Sequence, residues 1–282
     1  MAVKILIDSA SDITVEEGKK MGLVVLPIEV NFCGETFMDG ETIFADEFYD
    51  KLETSTELPK TSQINGYRFE EEFRKHIDNG DEVVCLTLSS KISGTYNNAR
   101  LTAEQFEGKA YAVDTLNATA GMRILAEYAL RLVSEGKSAK EIAEELETKK
   151  KKVRVFAMID TLKYLKMGGR ISSAAAFIGG MMNLKPMIGV IDGEVKVIGK
   201  CVGAKKAFQF LNQTAKETGG VDMSMPYCNI ISGNDNTNYD KYVETSTEVY
   251  GDMANKVVAH KLGATIGTHI GPGAVGVVFF AK

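Results

Sequence analysis

The sequence predicts an α/β protein of two domains: an N-terminal doubly wound, mainly parallel sheet over residues 1–152 and a C-terminal α+β domain over residues 153–282. Three observations lead there. Short apolar runs rich in β-branched residues alternate with amphipathic helical patterns through the first half, as they do where helices cover a parallel sheet. Those runs end in hydroxyl and carboxylate side chains, as strand ends that open on a ligand crevice do. Past the lysine run Lys149–Lys152 the alternation gives way to hairpin signals, among them Asp192-Gly193.

Val3 to Ile7 reads as the first buried strand, ending at Asp8-Ser9-Ala10-Ser11-Asp12. Thr14 and Glu17 then have capping-box spacing at a helix start. Leu23 to Val30 reads as a second strand, Asn31 to Thr42 as a hairpin or long loop, and Asp46 to Leu52 as a short helix. Pro59 biases Leu58 toward extended geometry, and the polar cluster Thr61-Ser62-Gln63 follows. Gly66 to Asp78 is helical, with Phe69, Phe73 and Ile77 on one face. The segment 58–80 is a candidate to pack with the second domain.

The stretch Val83 to Ala99 organises the chain. A continuous apolar run suits a strand buried on both faces. It ends in Ser89, Ser90, Ser93 and Thr95 around Gly94, where a helical pattern begins. Hydroxyls and free N–H groups at such a helix start suit an anion; an ordinary capped βα loop would read the same way. A strand at Ala110 to Val113 ends in Asp114-Thr115, and Asn117 to Val133 is a helix with the stripe Met122, Leu125, Ala129, Leu132. Ser138 and Glu141 form another capping box. In the second half, strands are expected at Val153 to Ile159, Tyr227 to Ser232 and Val257 to Leu262. A hairpin is expected over Pro186 to Ile198, and helices over Thr161 to Arg170, Ser172 to Met182, Lys205 to Glu217 and Asn238 to Tyr250.

Composition narrows the function. The chain carries 33 basic and 38 acidic residues, net −5, with no basic stripe interleaved with aromatics, which argues against nucleic acid as partner. Cys33, Cys85, Cys201 and Cys228 are far apart and form no CxxC pair or His/Cys ligand set, so neither a disulfide nor a metal is expected. The opening MAVKILIDSA turns polar too soon for a signal peptide, and no apolar run approaches a membrane span. A cytoplasmic setting without stable membrane insertion is expected. There is no Walker A motif, and Gly271 and Gly273 make only a short turn, so no phosphate-transfer machinery and no cofactor is expected in the chain itself. Of the three histidines, His76 reads as solvated and His260 as structural, while His269 lies in a Gly-rich segment suited to a site. Ser93, His269 and Asp8 or Asp114 could compose a serine-type hydrolase, although LSSKISGTY is not a G-x-S-x-G elbow. His269 could instead hold a carbonyl in a small-carbonyl-binding kinase subunit.

Seven short motifs carry a resemblance: Asp8-Ser9-x-x-Asp12, Pro59-Lys60-Thr61-Ser62-Gln63, Leu88 to Tyr96, Val113-Asp114-Thr115, Tyr164 to Ser172, Lys185-Pro186 and Gly267 to Gly273. In this order and spacing the sequence resembles the bacterial DegV family of fatty-acid-binding proteins along its whole length. The resemblance implies a lipid-binding protein rather than an enzyme, with a long-chain fatty acid in a tunnel between two domains. It implies the acyl-presenting subunit of a fatty acid kinase, whose separate ATP-binding subunit makes an acyl-phosphate for phospholipid synthesis. It also places the carboxylate on Thr61, Ser93 and His269, and puts Arg170, Ser62, Gly94 and Thr95 at the pocket or the kinase-docking site. Such a tunnel gains about 0.8 kcal/mol per buried CH₂. Phe177, Ile178, Met181, Met182, Met187 and Ile188 are candidate lining residues, methionine suiting an adaptable wall; without the family they read as ordinary core. A buried carboxylate needs donors, and His269, if protonated, would add charge. The ligand needs no general base, because it is already ionised near neutral pH.

Overall fold

The computed structural model describes residues 2–171 and 183–282. In chain order its elements are β1 (Val3–Asp8), α1 (Val15–Met21), β2 (Leu23–Leu26), β3 (Glu29–Phe32), β4 (Glu35–Met38), α2 (Ala45–Thr54), β5 (Lys60–Thr61), α3 (Gly66–Ile77), β6 (Glu82–Thr87), α4 (Thr95–Ala103), β7 (Ala110–Asp114), α5 (Ala120–Ser134) and α6 (Ala139–Lys149). There follow β8 (Val153–Met158), α7 (Lys163–Met167), β9 (Leu184–Ile191), β10 (Glu194–Val202), α8 (Ala204–Glu217), β11 (Tyr227–Ile231), α9 (Thr237–Thr245), α10 (Thr247–Tyr250), β12 (Ala259–Lys261), α11 (Ala264–Ile270) and β13 (Val275–Phe280).

Four parallel strands in the order β2-β1-β6-β7 make the first sheet. Leu6, Ile7, Val84, Cys85 and Leu86 are all buried, so both faces are covered and the strands read as unbroken apolar runs. The second sheet runs β10-β9-β8-β13-β11-β12 and is antiparallel except for β11 with β12. Its side chains alternate: Val155, Ala157 and Ile188 share a core with the first sheet, whereas Phe156, Met158 and Met187 pack in a second core with Phe208 and Leu211 of α8. A small antiparallel sheet, β4-β3-β5, joins α2 and α11 around Val30, Phe32, Phe48 and Tyr49. Among the described residues no helix is long and apolar enough to cross a membrane.

Several elements depart from the sequence reading for identifiable reasons. The strand expected over Leu23 to Val30 is two strands. Pro27 has no N–H to give a ladder, so the chain leaves the first sheet after Leu26 and restarts at Glu29 in the small sheet. Of residues 58–80, β5 lies against α11 of the second half, while α3 turns Phe69, Phe73 and Ile77 inward and packs on β6 and α4. The segment is therefore split between the halves. Helix α5 starts at Ala120 rather than Asn117, because Leu116 and Thr119 take positive φ values of 50° and 53°. Residues 238–250 break at Ser246, whose hydroxyl donates to Val243 O at 2.8 Å. At the β9–β10 turn Asp192 and Gly193 have φ of 54° and 83°, the left-handed pair that a two-residue hairpin turn requires. The helix expected over Ser172 to Met182 lies outside the described residues.

Candidate ligand-binding site

Between the C-terminal end of β6, the inner face of β8 and β9, and α11 lies a cavity of about 170 Å³. That is on the order of ten times the space one buried water needs, so the cavity suits an organic ligand. Its walls are aliphatic: Leu88, Val155, Leu165, Ile188, Val190, Ile230 and Ile266 are among them. Small side chains at Ala118, Ala157 and Ala274 leave the width.

The polar lining gathers at one place through a chain of contacts. Strand β5 sets Thr61 opposite the last turn of α11, with Thr61 Oγ1 3.1 Å from His269 Nε2. The other ring nitrogen, Nδ1, is buried without a hydrogen-bond partner. A Cβ at Gly168 would lie 2.2 Å from that nitrogen, so only glycine lets α7 close on the ring. Arg170 Nη1 donates to Gly168 O at 2.6 Å, and its side chain is exposed at the same rim. On the opposite side Ser93 stands just before α4. Ile64 N donates to Thr95 Oγ1 at 3.3 Å, Thr95 N donates to Ser93 Oγ at 3.3 Å, and the two hydroxyls are 3.0 Å apart. Either hydroxyl can be the donor of that pair, and with Thr95 donating the Ser93 O–H is left free to donate elsewhere.

Burial pushes the His269 pKa down to about 4, and the Arg170 guanidinium adds to the shift. The site therefore holds a neutral imidazole at pH 7, without the positive charge conceived for His269. Three carboxylates hold the backbone behind the site. Asp8 accepts from Leu88 N at 2.7 Å and Ala10 N at 3.0 Å, fixing the segment that leads to Ser93. Asp39 accepts from Ala264 N at 2.9 Å and Thr265 N at 3.1 Å, and Asp12 from Gly263 N at 2.9 Å, so both tie down the start of α11. Asp12 also accepts from the Thr119 hydroxyl. Burial raises the pKa of Asp8 and of Asp12 to about 7 and raises that of Asp39 as well.

Of the residues singled out from sequence, Thr61, Ser62, Ser93, Gly94, Arg170, His269 and Ile188 line the cavity. Thr95 stands one hydrogen bond behind, supporting Ser93. Met187 is 0% exposed on the other face of β9, packed with Phe156 and Met158, because alternate strand residues face opposite ways. Phe177, Ile178, Met181 and Met182 lie outside the described residues. Gln63, Thr119 and Thr265 also line the cavity without having been expected there from sequence, although Gln63 belongs to the Pro59–Gln63 motif. The hydrolase arrangement is not assembled. Ser93 Oγ contacts Thr95 and His269 contacts Thr61, while Asp8 and Asp114 spend their oxygens on backbone N–H groups of Leu88, Ala10, Ser90 and Leu116.

Fold and site together define an α/β protein with an aliphatic cavity between two sheets and a polar rim of hydroxyls, an imidazole and the Arg170 guanidinium. The chain belongs to the DegV family: the family model described as "Uncharacterised protein, DegV family" matches residues 2–282. A DegV domain-containing protein of Caldanaerobacter subterraneus is 33% identical over 281 residues, covering 99% of both chains. A solved DegV family protein of Thermus thermophilus, described in terms of its fatty acid binding, superposes with a TM-score of 0.88 at 30% identity over 100% of both chains. DegV of Bacillus subtilis, described as a fatty acid binding protein, superposes with a TM-score of 0.81 at 27% identity, again over 100% of both chains.

Proposed function

We propose that this protein binds a long-chain fatty acid, with the acyl chain in the cavity between the sheets and the carboxylate at the rim. We further propose that it presents that carboxylate to a separate ATP-dependent kinase subunit in the cytoplasm. The observation that carries the first reading is the segregation of the cavity: an aliphatic interior, with Thr61, Ser93 and His269 brought to one rim from three distant segments. Each CH₂ removed from water contributes about 0.8 kcal/mol, while the carboxylate is desolvated only where donors replace water. Ser93 O–H and Thr61 O–H are such donors. In the second reading a carboxylate oxygen attacks the γ-phosphorus of ATP, the bond to the ADP oxygen breaks, and an acyl-phosphate forms for phospholipid synthesis. The binding chain needs no base for this step, since the nucleophile is already ionised. Exposed Arg170 lines the rim, and Met167, three residues before it, is 62% exposed, a surface on which the kinase subunit would dock.

The test is direct. Protein purified from ordinary cells is denatured, extracted with organic solvent and analysed by mass spectrometry. One long-chain fatty acid per chain is expected, and an extract without it sinks the binding reading. Ser93→Ala and Thr61→Ala should each weaken carboxylate binding by about 1–3 kcal/mol, the cost of losing a hydrogen bond to a charge. Unchanged affinity in both would remove the head-group assignment. Mixing the loaded protein with candidate kinase subunits and ATP, and assaying acyl-phosphate as its hydroxamate, tests the presentation role.

A further inference from the structure

A carboxylate offers about four lone-pair sites. The uncharged rim groups described so far fill at most three. Thr61 and Ser93 give one O–H each and a neutral His269 gives one N–H, and Thr61 and His269 are already bonded to each other at 3.1 Å. Beside the exposed Arg170 guanidinium, the solvent-facing rim offers one further uncharged side chain with N–H donors, that of Gln63.

Gln63 lines the cavity beside Thr61 and Ser62, and its side chain folds over the start of α4. A Cβ at Gly94 would lie 1.9 Å from Gln63 Oε1 and 3.0 Å from its Cδ. The carboxamide therefore occupies the place where any other residue at position 94 would carry its side chain. Gly94 has φ of −76° and ψ of −3°, a conformation open to every L-residue. Turn geometry does not require glycine there; a side chain at position 94 would instead push the exposed end of Gln63 aside. The carboxamide makes no hydrogen bond among the described residues, although it lies against Gly94, between Ser93 and the first turn of α4.

We propose that Gln63 is a fourth head-group residue, donating a carboxamide N–H to the ligand carboxylate, and that Gly94 is the positioning residue that lets it lie there. The proposal rests on the fatty-acid reading above and adds to it the residue that closes the rim over the carboxylate. Gln63 supplies two donors without charge, so it can complete the carboxylate's shell without locking it in an ion pair, leaving an oxygen nucleophilic.

The two residues form a testable pair, because Gly94 is argued to act only through Gln63. Palmitate and methyl palmitate are titrated into delipidated protein, with wild type, Q63A, G94A and the double variant compared. Losing one hydrogen bond to a charged group at a solvent-facing rim should weaken palmitate binding about tenfold in Q63A. G94A should show a similar loss, since its methyl group displaces the carboxamide. The double variant should be no weaker than Q63A. Methyl palmitate, which has no carboxylate, should bind all four proteins alike. Thermal midpoints within a degree or so of wild type would show that folding is intact; if G94A unfolds, Q63A and Q63E alone decide, with Q63E expected weaker than Q63A because it faces the ligand with a like charge. Palmitate affinity unchanged in Q63A, or G94A and Q63A losses that simply add in the double variant, would overturn the proposal. Wild-type protein that binds no palmitate would instead remove the fatty-acid reading beneath it.

Discussion

His269 is the residue whose chemistry changes most when a ligand arrives. Burial and the nearby Arg170 hold its pKa at about 4. A carboxylate brought close to it has the opposite sign and favours the imidazolium. Its pKa must then rise, so binding takes up a proton wherever the pH lies between the empty and the loaded values. By linkage, affinity rises as pH falls toward that window, as long as the fatty acid stays ionised. Calorimetric titration near pH 6 in two buffers of different ionisation enthalpy should reveal net proton uptake, and His269→Gln should abolish it. Equal heats in both buffers would show that the imidazole stays neutral. None of this was legible in the sequence, which offered a histidine among glycines. The ring's burial and the Gly168 approach at Nδ1 arise from α7 closing on α11, about 100 residues apart in the chain. By contrast Ser93 was readable as a hydroxyl at a strand end and Thr61 as one of a loop cluster, although only family resemblance joined them to His269.

At the scale of the element, α11 is the piece most dependent on buried polar contacts. Its first turn has N–H groups with no partner inside the helix, and the Asp39 carboxylate takes two of them. Asp39→Ala leaves those N–H groups buried and unpaired, at a cost of about 1–3 kcal/mol. The denaturant midpoint should fall accordingly with its slope unchanged; an unaltered midpoint would mean that water reaches the helix start. The same carboxylates set a pH profile. Asp8 and Asp12 have folded pKa values of about 7 against 3.8 for the ordinary group. Between those values the folded chain holds more protons than the unfolded one, so their contribution to stability is lost as pH rises through 7. His260 and His269, lowered from 6.5 to about 4, act the other way, but only below about pH 6.5. Between pH 6.5 and 8 the carboxylates act alone, and the thermal midpoint should fall. A flat midpoint across that range, or a fall just as steep in an Asp8→Asn, Asp12→Asn double variant that keeps only Asp39 of the three, contradicts this assignment. The helices themselves were well marked in the sequence, down to the Ser138–Glu141 capping box. What it hid was α11, written ATIGTHI with small residues because Gly267 must pass close to Phe48 and Tyr49.

At the scale of the whole molecule, the cavity exists because two sheets are held apart at one side and clasped at the other. The β9–β10 hairpin supplies part of its wall through Ile188, Val190 and Val195, yet β10 is an edge strand with no neighbour beyond it among the described residues. Its turn is fastened to the first sheet by a side-chain bond: Ser89 Oγ, in a residue 0% exposed, donates to Gly193 O at 2.7 Å. Ser89 also accepts from Lys91 N at 3.2 Å and takes Ser93 N on its carbonyl at 3.0 Å. One residue thus connects part of the cavity wall with the segment that carries Ser93. Sequence marked both partners, Ser89 as a strand-end hydroxyl and Asp192-Gly193 as a turn, but two segments 104 residues apart have no local signal that they meet. Ser89→Ala should free the hairpin tip without unfolding either sheet, since it removes one bond and leaves the β8–β9 pairing intact. Amide exchange should quicken in residues 186–198 while β1 and β6 stay protected. Bound fatty acid should dissociate several-fold faster with little change in its association rate, because a wall that closes over the docked chain governs release rather than encounter. Faster exchange spread evenly over both sheets would mean that the bond stabilises the fold at large, and an unchanged dissociation rate would mean that the acyl chain leaves by another wall.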